Sequence, residues 1–434
     1  MDKMADVLGR AGAWCGQNKY LSAIKNAFQN FMPLTIAGAI GVLWCNVLVN
    51  DQTGLGLFFK PIMALDFLNP AFQAVNFCTI SCITVGITLG IAQEIGVWNM
   101  GAERAGYIPG LVGLAAWLSV TNTSHMVDGA KEAFTGIAGN ELGATGLFTG
   151  MIIGVLSVEL FCFFEKQDAL KIKMPEQVPP GVARAFEVLV PATLTLIITA
   201  CIGSACYNLT GLYLNDVIKN GIQGPLGAVG ATIPGVMIIY LVIMLFWLVG
   251  IHGNNMLSAV KEALFTPLAL ENVEAFNKGE TPKNIINMYA LQMWGEFGGS
   301  GVTIGLVIAI MIFGKREDNK AIATLSLVPG LFNINETVTF GIPMVLNPIL
   351  GIPFVFACLV TILVGYVLTV IGFCPVACLT VPWTTPPLVF GFLATGANIM
   401  GAVTQAILIV VSTVIYVPFL ISYEKYQNKQ AAEA

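Results

Sequence analysis

From Ala321 to Tyr423 the chain runs 103 residues with a single charged side chain, Glu336. No water-soluble domain tolerates so long a stretch without charge, because its surface needs polar side chains to face solvent. The run must lie in hydrocarbon or be buried in protein that does. A carboxylate in that setting costs roughly 2.5 kcal/mol or more even on lenient insertion scales, so it persists only where it meets partners, water or a ligand. Glu336 sits in the segment Pro329-Gly-Leu-Phe-Asn-Ile-Asn-Glu336 and is the first candidate for a functional residue.

The rest of the chain agrees. Over 434 residues the mean hydropathy is +0.79, 56% of side chains are hydrophobic and only 10% are charged, which marks a polytopic membrane protein. Uncharged or nearly uncharged stretches recur at 31–50, 73–93, 105–127, 142–158, 188–215, 220–260, 297–314 and 337–423. At roughly 20 residues per crossing the last holds three or four helices, which predicts about ten transmembrane helices. Residues 1–30 carry Lys3, Arg10, Lys19 and Lys25 on an amphipathic pattern. They read as an interfacial helix that is not a cleavable signal and stays in the cytoplasm. The 165–184 loop and the tail, with Lys425 and Lys429, are assigned to the same side by their basic residues.

A net charge of −5 and the lack of any dense basic cluster give no sign of nucleic acid as a partner. Two cysteine pairs, Cys78/Cys82 and Cys374/Cys378, have helical spacing. With only two histidines and no CxxC they read as small apolar fillers, and neither a metal site nor a cofactor is expected. Walker lysine, serine-elbow and HExxH motifs are absent, so the driving force comes from a gradient or a partner.

Composition divides the chain into an orderly half, 1–205, a half crowded with Pro and Gly, 206–424, and a short cytoplasmic tail, 425–434. Irregular backbone at membrane depth is allowed only where it lines a cavity or is buried in protein, so the second half is the better place for a substrate site. In the first half Gly146, Gly150 and Gly154 form a small-residue stripe that serves either a dimer seam or packing inside one subunit.

Four interrupted segments carry chemistry. Gly250-Ile-His-Gly-Asn-Asn255 ends an apolar run in a polar knot, and Gly295-Glu-Phe-Gly-Gly-Ser-Gly301 cannot begin a regular helix. The other two are Asn333-Ile-Asn-Glu336 and Val381-Pro-Trp-Thr-Thr-Pro-Pro387. Together they offer amides and a carboxylate for hydroxyl groups, an aromatic face for a pyranose ring, and freed backbone groups, which is what a sugar requires. The binding candidates are Glu336, His252, Asn333, Asn335, Asn254, Trp383, Thr384, Gly299 and Ser300, with Glu336 and His252 as the groups that position or deprotonate a hydroxyl. Taken singly, His252 is as ordinary an interior histidine as any, and Trp383 also suits an interfacial anchor. Glu296, which precedes the glycine knot, fits either a solvated boundary position or the site.

In this order the segments resemble the lactose/cellobiose/chitobiose family of membrane IIC components of the bacterial phosphoenolpyruvate-dependent sugar phosphotransferase system. The resemblance is carried by Tyr20-Leu-Ser-Ala-Ile-Lys-Asn-Ala-Phe28, Ile172-Lys-Met-Pro-Glu-Gln-Val-Pro-Pro180, Gly250-Ile-His-Gly253, Gly298-Gly-Ser-Gly301, Phe332-Asn-Ile-Asn-Glu336, Leu346-Asn-Pro348 and Pro382-Trp-Thr-Thr-Pro386. Two positions depart from the family pattern: Thr337, where proline is usual, and Glu296 beside the glycine knot.

The resemblance implies an all-α membrane protein with two re-entrant hairpins, a first half that forms a homodimer interface, and group translocation by the second half. The dimer expectation turns the glycine stripe toward a seam. A β-linked disaccharide would be bound near the midplane of the bacterial plasma membrane, carried inward, and phosphorylated from a phosphocysteine on a separate IIB protein. With only the segment from Glu424 to Ala434 after the last span, no appended IIA or IIB domain is expected. A transporter coupled to H⁺ or Na⁺ through Glu336 is the rival expectation, and a channel or sugar sensor the third.

Overall fold

A computed structural model describes every residue except 1–9, 11, 12, 15, 16, 52–54, 126–133, 176, 343, 346 and 434. Lys3 and most of the expected interfacial segment before Gln17 lie outside the described residues, as do Glu176 and Leu346 of the family motifs. The architecture is helical, with one two-stranded pairing, Ser124–His125 against Phe134–Thr135. Six helices among the described residues are long and apolar enough to cross a membrane, and the bent pair Met288–Val302 and Ile304–Phe313, at 59°, makes a seventh. Ile108–Val120 and Ile233–Leu248 are apolar but shorter.

The expected boundary between interfacial helix and first span, near residue 30, does not exist as a break. One helix runs Lys19–Leu43 through Pro33 and continues as a wider turn to Leu48. The uncharged run 220–260 in turn is not one span: Ile233–Leu248 starts at Thr232, whose hydroxyl accepts from Gly235 N, and ends before Gly250 at φ +82°. That left-handed backbone is inexpensive only for glycine.

The described chain forms two compact units, one holding Ala39–Val75 and Val229–Ala434, the other Gln17–Gly38 and Asn76–Ala228. The contact boundary thus falls near residue 228, with a segment of the expected first half grouped with the second. In the unit of Asn76–Ala228, the helices Ile83–Met100, Ile108–Val120 and Ala144–Glu165 pack around Ile87, Ile91, Trp117, Leu147 and Phe161. The glycine stripe belongs to this packing. A Cβ on Gly150 would lie 2.2 Å from the Thr88 hydroxyl, and one on Gly146 would lie 1.8 Å from the Glu141 carbonyl. Reading the stripe as a dimer seam is therefore corrected: its small residues are used up by close approach of neighbouring backbone within the subunit.

The larger unit packs Ile304–Phe313 and Gly351–Val370 against the long helix Ile399–Glu433. Its core holds Tyr240, Trp294, Leu306, Phe354 and Tyr416, all nearly or fully buried. Helix Met288–Gly295 is capped by the buried Asn287, whose side-chain oxygen accepts from Tyr289 N and Ala290 N at 3.0 and 3.1 Å. This cap satisfies two of the orphan amides at a helix start. The same Asn287 donates to Ala377 O at 3.2 Å, and Tyr289 meets the Thr380 hydroxyl at 2.8 Å. These bonds tie down the non-helical segment that leads to Trp383, so backbone which cannot bond itself is held by side chains.

Candidate functional site

The glycine knot is the pivot. Gly298, Gly299 and Gly301 all have positive φ, and a Cβ on Gly299 would stand 2.6 Å from the Asn335 side chain. Neither the dihedral nor the close approach admits another residue without strain. Asn335 is buried and donates to Ser300 O at 2.8 Å, and the Asn333 side-chain oxygen accepts from Gly298 N at 2.7 Å. The Asn333 amide nitrogen donates to Trp383 O and, at 3.1 Å, to Thr385 O. One asparagine thus joins three of the four interrupted segments, at φ +62°, a conformation asparagine tolerates better than most residues.

These segments close around a cavity of about 310 Å³. That lies at the small end of the ~300–1,000 Å³ usual for ligand pockets. His252, Asn254, Gly299 and Ser300 line it from one side of the sequence, and Asn333, Asn335, Glu336 and Trp383 from the other. Thr384 is not part of the lining. Glu336 opens the helix Glu336–Gly341, a position that favours a negative charge. Its side chain is 47% exposed, and it lines the cavity. The His252 Nε2 stands 3.8 Å from Glu336 Oε1. The other ring nitrogen, Nδ1, accepts from Asn255 N at 3.2 Å, and the ring packs on Trp247 with centroids 4.4 Å apart. Because Nδ1 is an acceptor, the neutral ring carries its proton on Nε2.

A second polar cluster was not foreseen as a unit. Glu296, left open between boundary and site, lines the cavity and accepts on Oε1 from the Tyr240 hydroxyl at 2.6 Å and from the Lys261 ammonium. Lys261 also donates to Asn254 Oδ1 at 3.3 Å, while Asn254 donates to the Ser300 hydroxyl at 2.9 Å. Lys261 and Glu296 are 7% and 16% exposed. Such a pair keeps its charges only because each supplies the other's missing solvation. Gln292, Phe390 and Gln405 also line the cavity. Gln405 is fully engaged, accepting from Leu388 N and Gly391 N and donating to Met293 O.

Sequence reasoning passed over Lys261 because it follows the apolar run 220–260, where a lysine reads as the end of a span. The available signal was that it is the sole Lys or Arg between residues 220 and 277, and that Gln292 and Glu296 lie four apart at helical spacing in the sequence.

Comparison with known proteins gives one family. Its profile, described as "Phosphotransferase system, EIIC", matches residues 25–358. The oligo-beta-mannoside-specific EIIC component of Bacillus subtilis (strain 168) is 33% identical over 98% of this chain and 94% of its own. The cellobiose-specific EIIC component of Lactococcus lactis subsp. lactis (strain IL1403) is 29% identical over 98% of both. Among solved structures, the transporter ChbC, the IIC component from the N,N'-diacetylchitobiose-specific phosphotransferase system, superposes with a TM-score of 0.88 at 29% identity, covering 97% of each chain. With the family matched over most of its length and the multi-pass helical architecture in place, this chain belongs to the EIIC membrane components of the phosphotransferase system and is a sugar permease.

Proposed function

We propose that the chain imports a β-linked disaccharide across the bacterial plasma membrane and holds it for phosphorylation by a separate, phosphorylated IIB protein on the cytoplasmic side. The observation that carries this reading is the pair His252 and Glu336, facing each other across the cavity. At 3.8 Å they are too far apart for a direct hydrogen bond. A sugar hydroxyl between them donates to the carboxylate of Glu336 and accepts from Nε2–H of His252, and that arrangement satisfies all three groups. Glu336 is then the acceptor that polarises the hydroxyl and takes its proton as the oxygen attacks phosphorus. The new bond is sugar oxygen to phosphorus, and the phosphorus–sulfur bond of the IIB phosphocysteine breaks with the thiolate leaving. His252, already a donor, orients the nucleophile.

Trp383 offers its ring to a pyranose face, and its backbone is clamped by Asn333. Asn333 and Asn335 are bonded to backbone, so their part is to shape the wall that Gly299 and Ser300 present. Asn254 holds Ser300 in the same way. The same reading puts both termini in the cytoplasm, surrounds the helices with lipid, and pairs two copies through the first half as in the family pattern.

The test is sugar phosphorylation in membrane vesicles supplied with phosphoenolpyruvate and the soluble components. Uptake is expected to require IIB, to survive an uncoupler, and to deliver sugar phosphate inside. In the Glu336→Gln variant the phosphorylation rate is expected to drop about 10²–10⁴-fold at equal amounts of folded protein. Equal loss of rate and of folded protein, or uptake that the uncoupler abolishes, overturns the reading.

A further inference from the structure

The part of the cavity wall formed by Gln292 and Glu296 has polar atoms without a partner among the described residues. Glu296 accepts both of its bonds, from Tyr240 and from Lys261, on Oε1, and Oε2 has no partner among the described residues. In the helix Met288–Gly295, which ends just before Glu296, the Gln292 Oε1 is buried without a hydrogen bond, and its amide nitrogen has no partner among the described residues. Both side chains line the cavity. A buried acceptor left unpaired costs about 1–3 kcal/mol, so the Gln292 Oε1, beside a Glu296 oxygen that also lacks a partner among the described residues, points to a ligand that donates.

We infer that Gln292 and Glu296 form a specificity-determining subsite that takes two adjacent free hydroxyl groups of the sugar, with Lys261 as the positioning residue that fixes the Glu296 carboxylate. The inference rests on the sugar-permease reading and narrows its substrate. An ionised carboxylate can only accept hydrogen bonds. A pair of neighbouring ring hydroxyls supplies two donors, one for each of these acceptors. An acetamido group supplies a single N–H donor and adds three heavy atoms to those of a hydroxyl, in a cavity of about 310 Å³. An ammonium in place of a hydroxyl is disfavoured by the Lys261 ammonium already bound to the same carboxylate. The subsite therefore selects disaccharides with unmodified hydroxyls, such as cellobiose or β-1,4-mannobiose, over the acetamido disaccharide diacetylchitobiose.

The experiment is calorimetric binding of cellobiose, β-1,4-mannobiose and diacetylchitobiose to the purified full chain in detergent, for wild type, Gln292→Leu, Glu296→Gln, Lys261→Met, Lys261→Arg and the pair-neutralising Glu296→Gln/Lys261→Met. Thermal unfolding without sugar serves as the folding control. Wild type is expected to prefer a hydroxyl disaccharide to diacetylchitobiose by at least about 10-fold. Glu296→Gln and Gln292→Leu are each expected to weaken the hydroxyl sugar about 10-fold and to narrow the preference. Lys261→Arg, which keeps the cation, is expected to restore the affinity that Lys261→Met loses. A wild type that binds diacetylchitobiose best overturns the inference. So does unchanged affinity for the hydroxyl sugar in every folded Glu296 and Gln292 variant. In both of those outcomes the permease reading stands; if no disaccharide binds wild type, both fall.

Discussion

Two carboxylates line one cavity, and they are held in opposite ways. Glu296 is locked by Lys261 and Tyr240, with its side chain 16% exposed, whereas Glu336 stands 47% exposed with its nearest ionisable neighbour, His252, 3.8 Å away. A buried charge already paired inside the protein has much of its interaction energy committed to the fold, and what it gives a ligand is a fixed, oriented acceptor. A charge left without a direct partner in the same apolar setting has that energy available for the substrate, and for the moment when the hydroxyl becomes more nucleophilic. The first arrangement suits recognition; the second suits chemistry, because only interactions that strengthen in the transition state accelerate the reaction.

The largest way to break this comparison is to remove the internal partner. Lys261→Met leaves Glu296 and Tyr240 around an unpaired buried carboxylate, and the expected loss of stability is about 3–5 kcal/mol. Glu336→Gln, which removes a charge with no direct hydrogen bond among the described residues, is expected to change stability by less than about 0.5 kcal/mol. Thermal or denaturant unfolding in detergent checks both. Comparable destabilisation by the two variants would mean that Glu336 also serves the fold, and the division between the two carboxylates would be lost.

How much of this was legible in the sequence follows the same division. Glu336 could be found because it is alone in 103 residues, and a lone charge in hydrocarbon is visible without any knowledge of its neighbours. The four interrupted segments were visible for a related reason: Gly298, Gly299 and Gly301 together cannot continue a helix, and each does adopt a positive φ. Roles set by tertiary contact were hidden. Asn333 has the same composition whether its amide meets a sugar or the backbone of Gly298 and Thr385, and only the fold shows the latter. Lys261 and Glu296 are 35 residues apart; alone, the lysine looked like the end of a span and the glutamate fitted either a boundary position or the site. The stripe of Gly146, Gly150 and Gly154 correctly signalled close helix approach, but small residues do not say whose backbone approaches, and here it belongs to the same chain.

A smaller effect sharpens the comparison on the aromatic side of the cavity. Trp383 lines the cavity with its side chain partly open, and its backbone is fixed through Asn333. Removing the ring in Trp383→Ala is expected to weaken disaccharide binding by about 1–3 kcal/mol, the scale on which burial of a large apolar side chain contributes. Titration of the purified protein reads this directly. An unchanged dissociation constant would return Trp383 to the class of interfacial anchors.

The smallest effect concerns the next residue. Thr384 was expected to contact the sugar, but it is absent from the cavity lining while its neighbours in the chain, Trp383 before it and Thr385 just after, are held by the Asn333 amide through their carbonyls. Those two bonds fix the backbone on either side of Thr384 and leave its own side chain no part in the clamp. Thr384→Val, nearly isosteric but without the hydroxyl, is therefore expected to shift binding by less than about 0.5 kcal/mol, within the range of substitutions away from any special feature. The same titration that reads Trp383→Ala reads this variant, and a loss as large as that of the tryptophan would show that the loop turns its threonine to the sugar when the cavity fills. The contrast between adjacent residues then measures how rigidly Asn333 holds this wall, since a segment clamped on both sides of one residue cannot present that residue without breaking a bond that the empty site already makes.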